Sequence, residues 1–283
     1  MKAKIRPARA ADKAPLMSFI KDVWGGHDYI PSVWDSWLRD RRGRLFVVEA
    51  DGVPVGMSRV RFLEDGSAWF EGARVHPAFR GRGLASMLGE NSVRFAVAKG
   101  VRVFRLTSWS RNKAAHRQIS RIMFRETSRF SVYEPPKDRR LKPTVRVIRM
   151  TPNDLLTAMR LLRKAKEFKL GGGVFWHDFA AASLTNDVLS GLLAEGVVWR
   201  AGNAVAVTGT GPGEEGGWEE ICYLGGPVSD STRLVKALVG RDRRAGERFI
   251  FVPQGSPIIS AVRKEGYIRK FSMVLFERKA TNG

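Results

Sequence analysis

The sequence predicts an α/β chain of the α+β kind, with two domains in tandem, each a central mixed, mostly antiparallel sheet flanked by helices. Three observations carry this reading. At 283 residues the chain is long enough for two ordinary cores. A charged, proline-broken stretch, Glu134-Pro135-Pro136-Lys137-Asp138-Arg139-Arg140, divides it near the middle. The order of elements before that stretch is repeated after it.

In the first half, Ile5-Arg6-Pro7 reads as a short strand. A helix with Leu16, Phe19, Ile20 and Val23 on one side follows, ended by Trp24-Gly25-Gly26. His27-Asp28-Tyr29-Ile30-Pro31 is a loop, and Val33, Trp34, Trp37 and Leu38 mark a second helix. The Asp51-Gly52 pair joins Leu45 to Ala50 with Val53 to Phe62 as a β-hairpin. Glu64-Asp65-Gly66 turns into a strand from Ala68 to Val75, where Pro77 stops the ladder. Leu84, Met87, Leu88, Asn91, Phe95 and Ala98 then share one face of a helix that closes at Lys99-Gly100. Val101 to Thr107 is a strand parallel to the previous one, because a helix separates them. Asn112 stands where it would cap a helix with Ala115, Ile119, Ile122 and Met123 on one face, and Phe124 to Tyr133 is the last strand of this half.

The second half repeats that order. Val145 to Arg149 answers the first strand, Asp154 to Leu162 the first helix, and Gly196 to Thr208, turning at Gly202-Asn203, the hairpin. Trp218-Glu219-Glu220-Ile221 parallels Trp69-Phe70-Glu71, Gly226-Pro227 parallels His76-Pro77, and Ser256 to Tyr267 parallels Asn112 to Phe124.

Charge and cysteine usage bound the classes open to the chain. The formal net charge is +21, with 29 Lys and Arg against 14 Asp and Glu up to residue 143 and 20 against 14 thereafter. Such an excess steers anions to the surface, whether an anionic cofactor, an acidic acceptor or nucleic acid. The clusters Arg39 to Arg44 and Arg139-Arg140 are short and lack interleaved aromatics, so no nucleic-acid motif supports the last of these. A single cysteine, Cys222, excludes an internal disulfide and a cysteine metal cluster, and its apolar strand predicts core packing. His27, His76, His116 and His177 show no paired ligand spacing, so no metal is expected. No apolar run reads as a signal peptide or membrane span, which predicts a cytoplasmic protein.

The most informative stretch is Val75-His76-Pro77-Ala78-Phe79-Arg80-Gly81-Arg82-Gly83-Leu84-Ala85. It joins a strand to a helix through a turn in which Gly81 and Gly83 let the backbone approach a ligand, with the first-turn N–H groups facing an anion. It lacks the G-x-G-x-x-G of dinucleotide sites and the G-K-[ST] of a P-loop. The spacing Arg80-x-x-Gly83-x-Ala85, preceded by Val75-x-Pro77, resembles the acetyl-CoA-binding segment of the GNAT N-acetyltransferase superfamily, and the order of elements matches that family over residues 4 to 134.

The resemblance implies an acetyl-CoA-binding domain over 1–134, a linker over 135–144, and a degenerate GNAT-like domain over 145–283, in which Val228-Ser229-Asp230-Ser231-Thr232 replaces the glycine loop. It implies transfer of an acetyl group from acetyl-CoA to a primary amine by direct attack in a ternary complex, without an acyl-enzyme. It assigns Val75 and His76 to the acetyl and pantetheine end. The amides of Arg80, Gly81, Arg82, Gly83, Leu84 and Ala85 go to the pyrophosphate, and Asn112, with Ala115, to the pantetheine arm. An alkylammonium, with a pKa of about 10.4, must lose a proton before attack. Glu71 is the candidate base, or alternatively a structural salt-bridge partner of one of the many arginines; it shares strand parity with Val75 unless Gly72 marks a bulge, while Thr107 on the next strand cannot serve.

One departure stands out. The family pattern Asn-x-x-Ala-x-x-x-Tyr-x-x-x-Gly-Phe falls on Asn112, Ala115, Ile119, Met123 and Phe124, so Ile119 replaces the tyrosine that protonates the departing thiolate and Met123 replaces the glycine. Ser120, Tyr133 and His116 are the substitutes weighed, and a thiol pKa of about 8.5 makes the thiolate a tolerable leaving group without them. His27, Asp28 and Tyr29 lie on the loop that in this family rims the acceptor cleft. Gly171 to Asp178, with Trp176 and His177, reads either as a mobile second rim of the acceptor site or as a surface loop that packs Phe175 and Trp176 into its own domain. The rival readings are a non-catalytic acyl-CoA-binding module and a basic nucleic-acid-associated protein. The acceptor, and the choice between monomer and homodimer, stay open.

Overall fold

The computed structural model describes residues 1–136, 146–211, 218–238 and 247–280. By contacts the chain divides into two compact units that interleave in sequence. One holds Met1–Leu106, Asn112–Arg125 and Phe276–Gly283; the other holds Thr107–Arg111 and Glu126–Leu275. The expected linker lies for the most part outside the described residues, from Lys137 through Thr144, with Arg139-Arg140 among them.

In the first unit β1 (Ala3–Pro7) leads to α1 (Lys13–Ile20), a 3₁₀ turn and α2 (Ile30–Arg39). The hairpin of β2 (Gly43–Ala50) and β3 (Val53–Phe62) turns at Asp51 and Gly52, both at positive φ, as an Asp-Gly turn requires. β4 (Ala68–Val75) follows, then α3 (Leu84–Ala98), β5 (Val103–Trp109), whose end from Thr107 belongs to the second unit, and α4 (Lys113–Arg121). Strand order is β1-β2-β3-β4-β5, antiparallel throughout except for the parallel β4–β5 pair on either side of α3.

Alternation along the strands separates two faces. Leu45, Val47 and Met57 pack with Leu16, Phe19, Ile20, Ile30 and Trp34 of α1 and α2. Phe46 and Phe62 meet Phe95 of α3 on the other face, with ring centroids 5.3 and 5.9 Å apart. The face of α3 differs from the one its apolar residues predict. Met87 and Ala98 are exposed, while Ser92, Val93 and Ala96 are buried. Ser92 turns inward because its hydroxyl meets that of Ser58 at 3.5 Å on β3, a partner that hydropathy does not register.

In the second unit β6 (Arg125–Glu134) is followed by β7 (Ile148–Arg149), α5 (Leu155–Lys164) and α6 (Lys166–Leu170). Next come β8 (Val174–His177), β9 (Ala180–Ser183), α7 (Asn186–Ala194), β10 (Val198–Ala201), β11 (Ala204–Gly211) and β12 (Trp218–Gly225). The last elements are α8 (Val228–Leu238), β13 (Glu247–Pro253), α9 (Ile258–Lys264) and β14 (Ile268–Lys279), whose end belongs to the first unit. The strand order is β14-β6-β13-β12-β11-β10-β7, again with one parallel pair, β12–β13, either side of a helix. Leu234, Val235 and Leu238 of α8 and Ile258 and Val262 of α9 close one face over Ile221, Leu224 and Ile250. Each unit is therefore a mixed, mostly antiparallel sheet flanked by helices.

Two expected features differ. Gly171 to Asp178 is no mobile rim but packs into its own unit: β8 and β9 form a hairpin, with Phe175 and Trp176 buried and Trp176 stacked on Phe251 at 5.1 Å and 7°. Tyr133 is buried on β6, paired with Ile250 in the second unit's core. Among the described residues no helix is long and apolar enough to cross a membrane.

Candidate active site

The site is built where β4 leaves its neighbour. The β4–β5 ladder runs from Ala68↔Phe104 to Phe70↔Leu106 and stops, so Glu71 to Val75 continue without β5 beside them. On the β3 side the register shifts, with Glu71 opposite Arg59 and Arg74 opposite Met57. Three steps on β4 thus answer two on β3, a bulge at Gly72, whose φ of +66° suits a residue without Cβ. A Cβ there would also lie 2.6 Å from the Trp37 ring.

The bulge decides which way the candidate base points. It flips parity, so Glu71 shares its face with Arg74, Arg59 and Met57, toward α1 and α2, and not with Val75. The shared face of Glu71 and Val75 is expected from the sequence unless Gly72 marks a bulge, and that exception holds. Glu71 Oε1 accepts a hydrogen bond from the buried Arg59 guanidinium, and Arg61 Nε lies 3.7 Å away. Arg59 also binds Asp40 and lies over Trp37, 4.8 Å from the ring centroid.

The same face carries the loop before α2. Asp28 is buried; it takes hydrogen bonds from Arg74 (Nε at 2.7 Å, Nη2 at 3.3 Å) and from the Ile30 amide at 3.0 Å. Its oxygens serve the start of α2, which corrects its assignment to the acceptor. His27 and Tyr29 are exposed. The Tyr29 ring stands edge-on to Trp37 at 5.8 Å, and the Arg74 guanidinium lies 5.8 Å from its centroid. Trp37, Arg59 and Arg74 were missed in the sequence; a tryptophan on an amphipathic helix and arginines on strands read there as core and surface.

Beyond Val75 the chain makes a 3₁₀ turn over Pro77–Phe79. His76 Nδ1 accepts from the Ala78 amide at 3.2 Å, and its ring packs against Phe19 and Phe79. Gly81 and Gly83 both hold φ +78°, and a Cβ on either would meet nothing within 4 Å. The turn is therefore open on its outer side, and Gly83 is the N-cap of α3. The first amides of a helix have no partner within it, and this first turn carries no acidic residue. Arg80 and Arg82 flank it, both exposed, Arg80 Nε 3.4 Å from the Val75 carbonyl and Arg82 over the Phe79 ring at 5.3 Å. Leu84 is buried and Ala85 half-buried beneath them.

Asn112 caps α4, its Oδ1 accepting from the Ala115 amide at 3.0 Å, and Gln118 reaches Ser86 on α3 at 2.7 Å. His116 is half-buried with its ring 5.1 Å from Phe276, Ser120 is exposed, and Ile119 is buried. Tyr133, shut in the second unit's core, is corrected as a proton donor. Met123 holds φ +63° directly after α4, the conformation for which glycine is suited.

In the second unit β12 passes to α8 through Gly226 and Pro227 alone, leaving no room for a glycine loop. The buried Glu167 carboxylate sits there instead, accepting from the Gly226 amide at 3.2 Å and from Ser256 at 2.7 Å. Trp176 is core and so corrected as an acceptor contact, while the His177 side chain is half exposed. His177 Nδ1 lies 3.1 Å from Glu220 Oε1. Burial pushes the Glu220 carboxyl up, against the hydrogen bonds it receives from His177 and the Asp178 amide, and pushes the Cys222 thiol well up.

Residues 14–121 match the model of the acetyltransferase (GNAT) family. A histidine N-acetyltransferase of Xenopus tropicalis is 33% identical over 95 residues, 32% of this chain and 29% of that protein. The human protein described as probable N-acetyltransferase 16 is 34% identical over 88 residues, 30% of this chain and 24% of that one. The matched segment thus spans about a quarter of these relatives' length. Solved structures share the fold across both units. A GCN5-related N-acetyltransferase from Sphaerobacter thermophilus has a TM-score of 0.65 at 16% identity, over 99% of this chain and 96% of that one. A putative acetyltransferase from Thermoplasma acidophilum has 0.61 at 18%, over 98% and 100%.

Proposed function

Since residues 14–121 match the model of the acetyltransferase (GNAT) family, we propose that the chain transfers an acetyl group from acetyl-CoA to a primary amine, in its first unit only. One observation carries the reading: β4 parts from β5 after Phe70 and runs into a turn that Gly81 and Gly83 leave open at the N-terminus of α3. The residues fit the ligand. An open turn of positive-φ glycines, unpartnered first-turn amides and two exposed arginines suit a pyrophosphate. Val75, His76, Asn112 and Ala115 line the run toward the acetyl end.

Acetyl-CoA supplies the activated thioester. The acceptor amine attacks from the face of β4 that carries Glu71, Trp37 and Tyr29. Glu71, 15% exposed at its side chain, takes the ammonium proton through water. With Ile119 at the acid position the thiolate departs unassisted, which a leaving-group pKa of about 8.5 allows. Histidine, which names the Xenopus tropicalis relative and two others, is the first acceptor to assay. The exposed Tyr29 with Arg74 behind it suits a small polar amine.

The test is release of free thiol from acetyl-CoA with histidine and a panel of amines and peptides, alongside calorimetry. Gly83→Asp, which sets a negative charge in the turn where a Cβ meets no atom, should abolish acetyl-CoA binding while the melting temperature stays near that of Gly83→Asn. Unchanged binding in Gly83→Asp would overturn the reading. Binding without thiol release from any amine would favour the non-catalytic module.

A further inference from the structure

We propose that His177, Glu220 and Cys222, in the second unit, form a binding site for a thiophilic divalent cation, zinc by the chemistry of its donors. The three come together because Glu220 and Cys222, two apart on β12, point to the same side of the sheet, and His177, the last residue of β8, ends over them. His177 Nδ1 lies 3.1 Å and Cys222 Sγ 3.4 Å from Glu220 Oε1, and one donor atom from each residue lies within 4.8 Å of the others.

Two further observations point to a ligand. Gly209, the register partner of Glu220 on β11, is what leaves the space. A Cβ there would lie 2.8 Å from both Cys222 Sγ and His177 Nδ1 and 3.2 Å from Glu220 Oε1, so all three donors converge on one spot above its Cα. The Glu220 carboxylate is also satisfied on one side only. Oε1 faces three donors, His177 Nδ1, the Asp178 amide at 3.0 Å and the Cys222 thiol. Oε2 is buried without a hydrogen-bond partner among the described residues. A buried acceptor left unmet is costly, and a cation beside it would meet it.

The donor set selects the metal. A thiolate, an imidazole and a carboxylate suit zinc, whereas calcium and magnesium want oxygen alone. Three protein donors leave a fourth position, and solvent reaches it from the half-exposed His177 side. On binding, the cation displaces two protons from its donors: the Cys222 S–H bond breaks as a metal–sulfur bond forms and that proton passes to water, and the His177 Nδ1 proton exchanges through water to Nε2, which frees the Nδ1 lone pair for the metal. The spacing of the four histidines predicts no metal; this cluster escapes that count because its donors come from two strands and three residue types.

The experiment uses the full chain freed of metal with a chelator and titrated with Co²⁺, then Zn²⁺. The expected result is one cobalt per chain, with thiolate-to-cobalt charge-transfer absorption that zinc abolishes, and a zinc-dependent rise in melting temperature. Cys222→Ser should lose the charge-transfer absorption. His177→Gln, at a half-exposed position that the fold tolerates, should weaken cobalt binding by about tenfold or more. Absence of charge-transfer absorption in the unsubstituted chain overturns the proposal, as does cobalt affinity unchanged in His177→Gln. If Cys222→Ser fails to fold, the His177→Gln titration decides alone.

Discussion

Arg59 grips the Glu71 carboxylate across the β3–β4 ladder, where the two are direct register partners, and the same guanidinium reaches Asp40 while it lies over Trp37. A carboxylate so held is an architectural part as well as a candidate base, and the two roles separate in one variant. Glu71→Gln keeps the side-chain shape but loses the charge. It should lower kcat by about 10²-fold or more, leave acetyl-CoA affinity unchanged, and remove the acidic limb of the pH profile. The lost charge-assisted bond to Arg59 should cost about 2 kcal/mol in denaturant unfolding. Wild-type turnover with that stability loss would leave Glu71 as an ion-pair partner only.

Met123 should be replaceable by glycine with a gain. It stands at the C′ position after α4 in a Schellman arrangement, its amide bonded to the Ser120 carbonyl at 3.1 Å and the next amide, of Phe124, to Ile119 at 3.3 Å. The arrangement needs positive φ, and Met123 adopts +63° with 60% of its surface exposed, so little burial is lost on truncation. Met123→Gly should raise stability by about 0.5–1 kcal/mol, read as a higher denaturant midpoint at unchanged slope. A lower midpoint would refute this.

Asp12 links β1 to the start of α1, receiving both terminal nitrogens of Arg6 at 2.7 Å and the Arg9 amide at 2.7 Å. Burial pushes its carboxyl up, but the hydrogen bonds from Arg6 and Arg9 outweigh it and hold the group below its ordinary 3.8. The folded value lies under the unfolded one. The stability it gives is therefore complete above 3.8 and lost as pH falls through the folded value. Asp12→Asn should melt well below the unsubstituted chain near neutral pH, with the gap closing in acid. A gap constant with pH would show that the charge of Asp12 does not matter.

The sequence carried the frame of the fold further than the detail of the site. Local chemistry was legible: Asp51-Gly52 made its hairpin turn, Asn112 its cap, Gly81 and Gly83 their positive-φ turn. What escaped depended on partners distant in the chain. Gly72 marks where a bulge can form, but whether it forms and turns Glu71 away from Val75 is decided only in register with Arg59 and Met57. Ser92 is buried opposite Ser58, 34 residues away. Asp28, on an evident loop, is claimed by Arg74, 46 residues away. His177 and Glu220 meet across 43 residues.

Trp176 illustrates the same limit and gives a test. Glycines followed by aromatics suggested a rim, but Trp176 stacks on Phe251 and meets Phe130 edge-on at 5.0 Å. Trp176→Ala should cost about 3–5 kcal/mol, as for other buried aromatics cut to alanine, and should leave KM for the acceptor unchanged in whatever remains folded. A change in KM at undiminished stability would return Trp176 to the acceptor site.

Acetyl-CoA should bind at one site per chain. The two units share a parallel strand pair with a helix between its members, yet the connections differ in kind. From Val75 to Leu84 the first unit spends eight intervening residues, two of them glycines at φ +78° facing open space. From Gly225 to Val228 the second spends two, Gly226 and Pro227, and Glu167 takes the Gly226 amide that would otherwise face a ligand. A Cβ on Gly226 would lie 2.5 Å from the Ala204 backbone, so the turn is closed by its own sheet. A carboxylate in that position also repels a phosphate. Calorimetric titration should return a stoichiometry of one, falling to none in Gly83→Asp. Glu167→Gln should leave it at one, because removing the charge opens no turn. Two equivalent sites in the unsubstituted chain, or a second site appearing in Glu167→Gln, would show that loop length and closure do not decide where the ligand binds.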